Sequence, residues 1–397
     1  MKVKDYLKFY GISNLDFSKK LGISNVSLSR YISGERLPEK KVLKKIYQVT
    51  DGLVDANDFY LEKNKSLILT EDQKDNILQI TKKLRMGDRK SLAKAITIIE
   101  SSLPIHRLES NFLLSQLVDN QKSIRIGVTG VPGVGKSTFI EAFGMKLIEK
   151  GFKVSVLAVD PSSKRSGGSI LGDKTRMTRL SVDNNAFIRP SPSQGHLGGV
   201  AKKTSESIRC LEEAGFNIIF IETMGVGQAE TAVYDMVDIF LVMLLPSSGD
   251  ELQGIKKGII EIADLIIINK ADGDLKKSAE ITMSEYKNAQ QMISRIRKDI
   301  SPEVLMCSSI ESFGIEEIWS FIEKFIDLLK RNGSFFQNRQ KQMIRSLWSD
   351  INSKLNEYIE NDLKTKKFVK KIIKDVENKK FDVNNASILI FDYLSKR

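Results

Sequence analysis

IRIGVTGVPGVGKST, residues 124–138, is the stretch that decides the fold of this chain. Its first six residues are mostly apolar and predict a short buried strand. The next eight match the phosphate-binding loop G-x-x-x-x-G-K-[ST], and a helical pattern follows to about residue 150. Strand, glycine-rich loop and helix in this order are the context that the motif requires. The predicted nucleotide-binding residues here are Gly130, Gly133, Val134, Gly135, Lys136, Ser137 and Thr138.

Each part of this loop has a physical task in binding a nucleotide. Glycines let backbone N–H groups converge on the phosphates, and the start of the helix adds the positive end of its dipole. We expect Lys136 to neutralise the β- and γ-phosphates and the Ser137 hydroxyl to bind Mg²⁺.

The sequence beyond the loop alternates between apolar runs and helical patterns. The apolar runs lie at residues 154–159, 218–221, 238–244, 265–268 and 304–307. Runs this continuously apolar are typical of strands buried on both faces, so we predict an α/β fold with a mostly parallel P-loop NTPase sheet covered by helices. Ligands bind at the carboxyl ends of such strands, where Asp160, Glu222 and Asn269 are placed.

The choice of base is indicated by Asn269-Lys270-Ala271-Asp272, which follows a buried run. The Asp272 carboxylate can accept two hydrogen bonds from the imino and amino groups of guanine, which adenine does not offer. Because a wrong base would leave this acceptor unsatisfied, the pattern favours GTP and GDP over ATP. Ser308 and Ser309, after the last strand, fit the loop that backs the base.

A different pattern occupies residues 1–60, which predict short helices separated by tight turns. Asn14 can cap one helix, with Leu15, Phe17 and Leu21 as its apolar positions, and Gly22 ends that helix. Ser24 or Asn25 then caps a helix that carries Val26, Leu28, Tyr31 and Ile32. This spacing, with small Ser18 before the turn glycine, is typical of a helix-turn-helix.

The stretch GISNVSLSRYISGERLP resembles the Cro/repressor-type helix-turn-helix modules. The resemblance implies an all-α N-terminal domain with a recognition helix at residues 25–33. DNA is the implied partner, and the candidate contacts are Asn25, Ser27, Ser29 and Arg30. The alternative is a helical docking module that has lost its DNA contacts.

The formal net charge of +12 is distributed unevenly among these segments. Residues 1–60 carry +4, residues 331–397 carry +7, and the 270 residues between them carry +1. We expect a helix-turn-helix domain at 1–60, a linker at 61–79, a GTPase domain with a helical extension at 80–330 and a helical C-terminal arm at 331–397. A uniformly basic DNA-binding protein is excluded by this distribution.

Other counts exclude further classes. Two cysteines rule out a disulfide scaffold and suit a reducing cytoplasm, and two histidines make histidine-based metal catalysis improbable. No apolar run reaches the roughly 20 residues of a membrane span, and the first residues do not form a signal peptide, so we expect no membrane association.

Between residues 80 and 330 the chain closely resembles the MeaB/ArgK-type GTPases. The resemblance rests on long blocks, among them GVTGVPGVGKST at 127–138, SGGSILGDKTRM at 166–177, FIRPSPSQGHLGGVA at 187–201, ETMGVGQAE at 222–230 and GDELQGIKKGIIEIAD at 249–264. Ser309 stands where alanine is usual in this family. The resemblance implies a homodimer formed through the C-terminal helices and a client that is a cobalamin-dependent acyl-CoA mutase.

The same resemblance implies roles for individual residues. Mg²⁺ would be surrounded by Asp160, Asp173 and Glu222, beside Ser137. Residues 166–177 and 223–230 would be switches that sense the γ-phosphate, and residues 249–258 a loop that signals to the mutase.

The catalytic residues are harder to assign, because phosphoryl transfer needs mostly positioning and charge neutralisation. We expect Lys136 to contribute charge, and Asp173 and Gln228 are candidates to place the attacking water, although each could equally be a structural switch residue. Arg189 could offset transition-state charge or be solvated. We interpret Cys210 as a packing residue and His196 as a loop residue.

A run of five lysines, spaced as on one helix, lies in the C-terminal arm at Lys366, Lys367, Lys370, Lys371 and Lys374. A solvated helix face is the usual explanation of such a run, and nucleic-acid contact is the alternative.

Two functions are expected. The first is a Mg²⁺-dependent GTP hydrolase, which the MeaB/ArgK resemblance implies to be a chaperone of a cobalamin-dependent acyl-CoA mutase, in cofactor loading and protection. The second is a DNA-binding regulator that responds to GTP through its N-terminal module.

Overall fold

The protein is described here from a computed structural model. The described residues are 3–33, 35–56, 59, 68–118, 122–159, 177–191, 197–223, 229–246, 257–290 and 302–395. The chain divides into two compact units, residues 1–71 and 72–397, each with hydrophobic clusters of its own.

The first unit is helical, as the sequence predicts. Its helices are α1 (Val3–Tyr10), α2 (Asn14–Leu21), α3 (Asn25–Ser33) and α4 (Lys40–Val49). Phe17, Leu28 and Ile46 are fully buried at the centre of its core. Gly22 ends α2 with a φ of +69°, a left-handed conformation that glycine adopts without steric cost. Helices α2 and α3 with this turn form the predicted helix-turn-helix.

Details of this unit differ from the expected pattern. Ser13, and not Asn14, caps α2, because the Asp16 N–H donates to the Ser13 hydroxyl at 3.1 Å. Ser24 caps α3 in the same way through the Ser27 N–H. Val26 was expected on the apolar face of α3, yet its side chain is 64% exposed, since at 3.6 residues per turn it lies on nearly the opposite side of the helix from the buried Leu28 and Tyr31.

The second unit is built on a sheet of seven parallel strands, which confirms the predicted fold class. The strands are β1 (Ile124–Gly130), β2 (Val154–Val159), β3 (Ala186–Ser191), β4 (Ile218–Thr223), β5 (Ile239–Leu244), β6 (Leu265–Ile268) and β7 (Glu303–Met306). Their order in the sheet is β3-β2-β4-β1-β5-β6-β7. Strand β1 lies between β4 and β5, with Val128 opposite Glu222 and Gly130 opposite Met243. The phosphate-binding loop therefore leaves from the middle of the sheet.

Strand β3 is not among the strands expected from the sequence. It lies at the edge of the sheet, paired with β2, and contains Arg189 and Pro190. Proline is tolerated on an edge strand because only one side of such a strand has to be hydrogen-bonded. The buried residues Ala186, Phe187 and Ile188 are followed directly by Arg189 and Pro190, so the apolar run of β3 is too short to predict a strand.

The second unit also contains helices that cover both faces of the sheet and the helices of the C-terminal arm. They are α5 (Glu71–Arg85), α6 (Arg89–Glu100), α7 (Pro104–Gln116), α8 (Lys136–Glu149), α9 (Thr178–Val182), α10 (Leu197–Glu213), α11 (Ala229–Tyr234), α12 (Lys257–Glu261), α13 (Lys276–Gln290), α14 (Ile315–Arg331), α15 (Ser334–Asn361), α16 (Leu363–Glu377) and α17 (Val383–Ser395). Helix α5 begins inside the segment that was expected to be a linker. In the part of the chain that the structure describes, no helix is long and apolar enough to cross a membrane.

Two hydrophobic clusters fill the space between the sheet and these helices. One joins the strands to α5, α6, α10 and α13, and includes Leu84, Leu92 and Ile208. The other joins the strands to α8 and α14, and includes Phe143 and Trp319. Since both faces are packed, the site at the carboxyl ends of the strands rests on a rigid support.

The C-terminal helices are anchored to this unit through Arg339 of α15. The buried guanidinium donates to both carboxylate oxygens of Asp238, at 2.8 and 2.7 Å, and to the Ser123 carbonyl at 2.8 Å. It also lies over the Phe335 ring, 4.5 Å from the centroid. The start of the arm is thereby fixed to the beginnings of β1 and β5.

Candidate functional site

The phosphate-binding loop has the backbone that its glycines predict. Gly130, Gly133 and Gly135 have φ values of +152°, +81° and +94°, which side-chain-bearing residues rarely adopt. A Cβ at Gly130 would lie 2.5 Å from the Met243 carbonyl oxygen, and one at Gly135 would lie 2.7 Å from Asn269 Nδ2. Glycine is therefore required at both positions, for space as well as for conformation.

Lys136 begins helix α8 directly after this loop and is buried. Its ammonium group donates to the carbonyl oxygens of Gly130 at 2.8 Å and Val131 at 3.3 Å. The cation is therefore held over the loop in which phosphates are expected. Thr138 is exposed on the first turn of α8, and Val134 is fully buried.

The structure brings together two of the predicted magnesium ligands. The Ser137 hydroxyl donates to Glu222 Oε1 at 3.0 Å, which joins the start of α8 to the end of β4. Beside them, the buried Thr223 hydroxyl donates to the Thr129 hydroxyl at 2.8 Å, a pair that was not predicted. These threonines end buried strands, which is the same signal that singled out Glu222. Mg²⁺ prefers oxygen ligands such as hydroxyl and carboxylate groups, so the side chains of Ser137 and Glu222 fit this ion.

The other predicted residues around the γ-phosphate lie outside the described residues. They are Asp160, Asp173 and Gln228. The expected switch at 166–177 lies outside as well, except for Met177, and so does most of 223–230. Among the residues that are described, no group of three or more His, Cys, Asp or Glu side chains could hold a metal ion.

Asn269 connects the phosphate-binding loop to the loops expected around the base. Its Nδ2 donates to the Val134 carbonyl at 2.8 Å, and its Oδ1 accepts from the Ser309 hydroxyl at 2.8 Å and from Cys307 Sγ at 3.3 Å. The side chain is 1% exposed. Asn269 therefore acts as a brace between segments. Ser309, which stands where alanine is usual in the family that the sequence resembles, donates one of these hydrogen bonds.

Asp272 is positioned by the loop after β7. The Ser308 hydroxyl donates to Asp272 Oδ2 at 2.5 Å and also accepts from the Glu311 N–H at 3.1 Å. Lys270 has a φ of +59°, which turns the chain sharply between Asn269 and Asp272. The residues predicted to bind the base thus lie in two adjoining loops at the carboxyl ends of β6 and β7. They are Asn269, Lys270, Asp272, Ser308 and Ser309.

Both cysteines are buried and reduced. Burial raises the pKa of the Cys307 thiol to about 12, and it raises the pKa of Cys210 to about 12 as well. Neither thiol is a nucleophile near neutral pH, since only the thiolate reacts. Cys210 packs in the core as predicted.

Arg189 makes contacts within the protein that join two elements of the fold. Its guanidinium pairs with the Glu100 carboxylate and donates to the Thr97 hydroxyl at 3.2 Å, which ties edge strand β3 to α6. The same side chain is thus held by partners other than a nucleotide. His196, interpreted as a loop residue, lies outside the described residues.

The candidate DNA contacts lie together on α3. Asn25, Ser29 and Arg30 are exposed, and Ser27 is half-buried with its hydroxyl 2.9 Å from that of Ser24. Four exposed lysines on α4, which the sequence reasoning did not single out, add positive charge to this unit: Lys40, Lys41, Lys44 and Lys45. Their helical spacing was the signal that could have identified them.

Comparison with known proteins agrees with both parts of this description. A family model described as methylmalonyl-CoA mutase-associated GTPase MeaB matches residues 92–364, and a helix-turn-helix model matches residues 3–51. A putative GTPase of Caulobacter vibrioides is 50% identical over 296 residues, which are 74% of this chain and 89% of that protein. The GTPase ArgK of Escherichia coli is 48% identical over 267 residues, or 67% and 81%.

Two further relatives extend the comparison. The mouse methylmalonic aciduria type A homolog, a mitochondrial protein, is 46% identical over 283 residues and covers 68% of each chain. A crystal structure of a LAO/AO transport system kinase is 34% identical, with a TM-score of 0.66 over 83% of this chain and 99% of the other. The chain therefore is a GTPase that binds GTP and GDP, and it belongs to the MeaB family of GTPases.

Proposed function

We propose that this GTPase is Mg²⁺-dependent and acts as a chaperone of a cobalamin-dependent acyl-CoA mutase in the cytoplasm. The observation that carries the proposal is the match of residues 92–364 to a family described as associated with methylmalonyl-CoA mutase. The mouse relative, named for methylmalonic aciduria, supports the same client.

In this proposal the phosphate-binding loop holds the β- and γ-phosphates of GTP through its backbone N–H groups. Lys136, which now donates to the Gly130 and Val131 carbonyls, turns its ammonium to the phosphates and offsets their charge. Ser137 and Glu222, which are joined by a hydrogen bond, would hold Mg²⁺ together with Asp160 and Asp173, and the bound ion would supply positive charge beside the phosphate oxygens. Asp173 or Gln228 places the water that attacks the γ-phosphorus.

Guanine recognition is assigned to Asp272. Its carboxylate accepts from the imino and amino groups of the base, while the Ser308 hydroxyl fixes its orientation. Asn269 keeps this loop in register with the phosphate-binding loop through Val134. The distance between the base site and the phosphate site is thereby set by a side chain and not by flexible backbone.

The proposal includes a homodimer formed through the C-terminal arm. Helix α15 exposes Met343, Ile344, Leu347 and Trp348, and each of them is at least 56% exposed. The four lie within six residues on one helix, and an apolar surface of this kind is typical of an interface. A second copy would remove it from water.

The test is capture of a purified methylmalonyl-CoA mutase by the full chain in GTP, GDP or no nucleotide. We expect capture to depend on the nucleotide. Lys136→Ala should abolish GTP binding and with it this dependence, whereas Lys150→Ala, at the exposed residue directly after the same helix, should leave both unchanged. Equal capture under all conditions, or none, would contradict the chaperone function.

A second function, regulation of transcription, is favoured by the helix-turn-helix match at residues 3–51 and by the exposed polar residues of α3. Here Asn25, Ser27, Ser29 and Arg30 would contact base edges or phosphates of the DNA. The test is binding to the promoter region of the protein's own gene, with and without GTP. Arg30→Ala should weaken specific binding on the order of 10-fold or more. Promoter and unrelated DNA bound equally well would argue against it.

A further inference from the structure

The C-terminal arm carries a charged surface that neither function uses. We define the lysine face as Lys366, Lys367, Lys370, Lys371 and Lys374, all on α16 and all exposed. In the part of the chain that the structure describes, no ion pair involves any of them. This surface is the main source of the arm's excess of positive charge.

The orientation of the lysine face is fixed by the opposite side of the same helix. Ile372 is 6% exposed, and the Phe368 ring stacks on Tyr393 of α17 with centroids 4.1 Å apart and planes at 14°. Because α16 is held on its apolar side, the lysines point to solvent. They are therefore accessible to a partner in the folded chain.

Electrostatics makes this arrangement costly for the isolated protein. Lys366 and Lys370, Lys367 and Lys371, and Lys370 and Lys374 are like charges four residues apart on a helix. Each such pair destabilises a helix by about 0.2–0.5 kcal/mol. Acidic residues normally interrupt a solvated lysine surface, as Glu149 and Glu316 do beside Lys146 at 3.5 and 3.2 Å. On α16 the acidic residues Asp375 and Glu377 lie at the C-terminal end, and Asp375 forms its ion pair with Lys380 at 3.1 Å.

We propose that the lysine face binds the phosphate backbone of duplex DNA. The row Lys366, Lys370 and Lys374 spans eight residues, roughly 12 Å along the helix axis. A duplex carries one charge per about 1.7 Å of its axis, so about seven phosphates lie along that length. Phosphate contact removes the repulsion among the lysines and needs no particular base sequence.

DNA is the partner of choice because the chain already carries a helix-turn-helix unit with a basic excess of its own. Both units would then contribute to affinity, the first through base and phosphate contacts and the second through phosphates alone. The inference extends the regulatory function proposed above but does not require that α3 reads a sequence.

The experiment measures how the affinity of the full chain for a 30-base-pair duplex of arbitrary sequence depends on salt. The test variant is Lys366→Gln, Lys370→Gln, Lys374→Gln, since glutamine has nearly the helix propensity of lysine. Each lost phosphate contact lowers the slope of log K against log salt by about 0.9, so three lower it by about 2.7. The variant should retain GTP hydrolysis, and its melting temperature should not fall.

The matched control is Lys82→Gln, Lys287→Gln, Lys324→Gln, which makes the same change in net charge at exposed lysines on three other helices. We expect its slope to stay near that of the unsubstituted chain. Equal slopes for the unsubstituted chain and the test variant, or equal losses in test and control variants, would overturn the proposal.

A further variant, Arg30→Ala, separates this inference from the helix-turn-helix function. If Arg30→Ala removes promoter preference while the lysine-dependent slope remains, both are supported. If it removes all binding to arbitrary duplex, the lysine face does not bind DNA. If Arg30→Ala leaves both promoter preference and affinity unchanged while the lysine variant lowers the salt slope, only the inference about the lysine face is supported.

Discussion

Asn269 Nδ2 donates a hydrogen bond of 2.8 Å to the carbonyl oxygen of Val134, and this bond joins the base-binding loop to the phosphate-binding loop. The two residues are 135 positions apart in the chain. Both are buried, so the bond is made in a medium where an unsatisfied amide or carbonyl is costly. The two loops that are predicted to bind the nucleotide are therefore connected by a buried side chain.

Replacing Asn269 by alanine should separate these two loops. The Val134 carbonyl and the Ser309 hydroxyl would each lose a hydrogen-bond partner, at about 1–3 kcal/mol per buried group. We expect GTP and GDP affinity to fall on the order of 100-fold, measured by titration calorimetry. Asn288→Ala, at an exposed position on α13, is the control. Unchanged affinity in Asn269→Ala would show that the brace is dispensable.

Asp272→Asn should change which base is preferred. Asparagine presents one acceptor and one donor, so it loses one of the two hydrogen bonds to guanine and can donate to the 2-oxo group of xanthine. The ratio of GTP to ATP affinity should fall on the order of 100-fold, and XTP should bind better than GTP. Competition with a fluorescent nucleotide measures both. A variant that still prefers GTP strongly would refute the assignment of Asp272.

Arg339→Met should destabilise the GTPase unit strongly. It leaves the carboxylate of Asp238 buried without the guanidinium that compensates it, a loss of about 3–5 kcal/mol in the free energy of unfolding. Arg345→Met removes an ion pair to Asp235 in which both side chains are exposed, and it should cost less than about 1 kcal/mol. Urea denaturation of the two variants compares them directly, and similar losses would mean that burial is not what matters here.

Alkaline pH should destabilise the protein through its two thiols. Their pKa values are about 12 in the folded chain, against 9.0 for an ordinary thiol, so the unfolded chain releases these protons first. Their contribution to stability is complete below pH 9 and is lost as the pH rises from about 9 towards 12. Melting curves should show a smaller decline over this range for Cys210→Ala, Cys307→Ala than for the unsubstituted chain. The same thiols should resist labelling at pH 8 until urea unfolds the chain, and rapid labelling of the folded chain would contradict their burial.

Short local motifs were sufficient to predict most of the function. The loop at 130–137 and the element at 269–272 are short motifs whose chemistry is written in consecutive residues, and the structure places them at one edge of the sheet. The helix-turn-helix was predicted for the same reason, since its turn glycine and buried positions lie within about 20 residues. Apolar runs identified every described strand except β3.

The structure differs from the sequence-based predictions in strand β3 and at Val26. Strand β3 exists because β2 offers it a free edge, and nothing in its own composition requires it. Val26 is exposed because it lies on nearly the opposite side of α3 from Leu28 and Tyr31. Its position in the helical period of 3.6 residues is therefore on the solvent face.

By itself, the sequence determined the class of fold and predicted the nucleotide site and its base, because the phosphate-binding loop and the element at 269–272 each consist of consecutive residues. Only the tertiary structure decided that Asn269 braces Val134, that Arg339 anchors the C-terminal arm at Asp238 and that Arg189 is held by Glu100. These contacts join residues 89 to 135 positions apart. Their partners are chosen by the order of strands in the sheet and by the packing of helices on it, and no local periodicity encodes that choice.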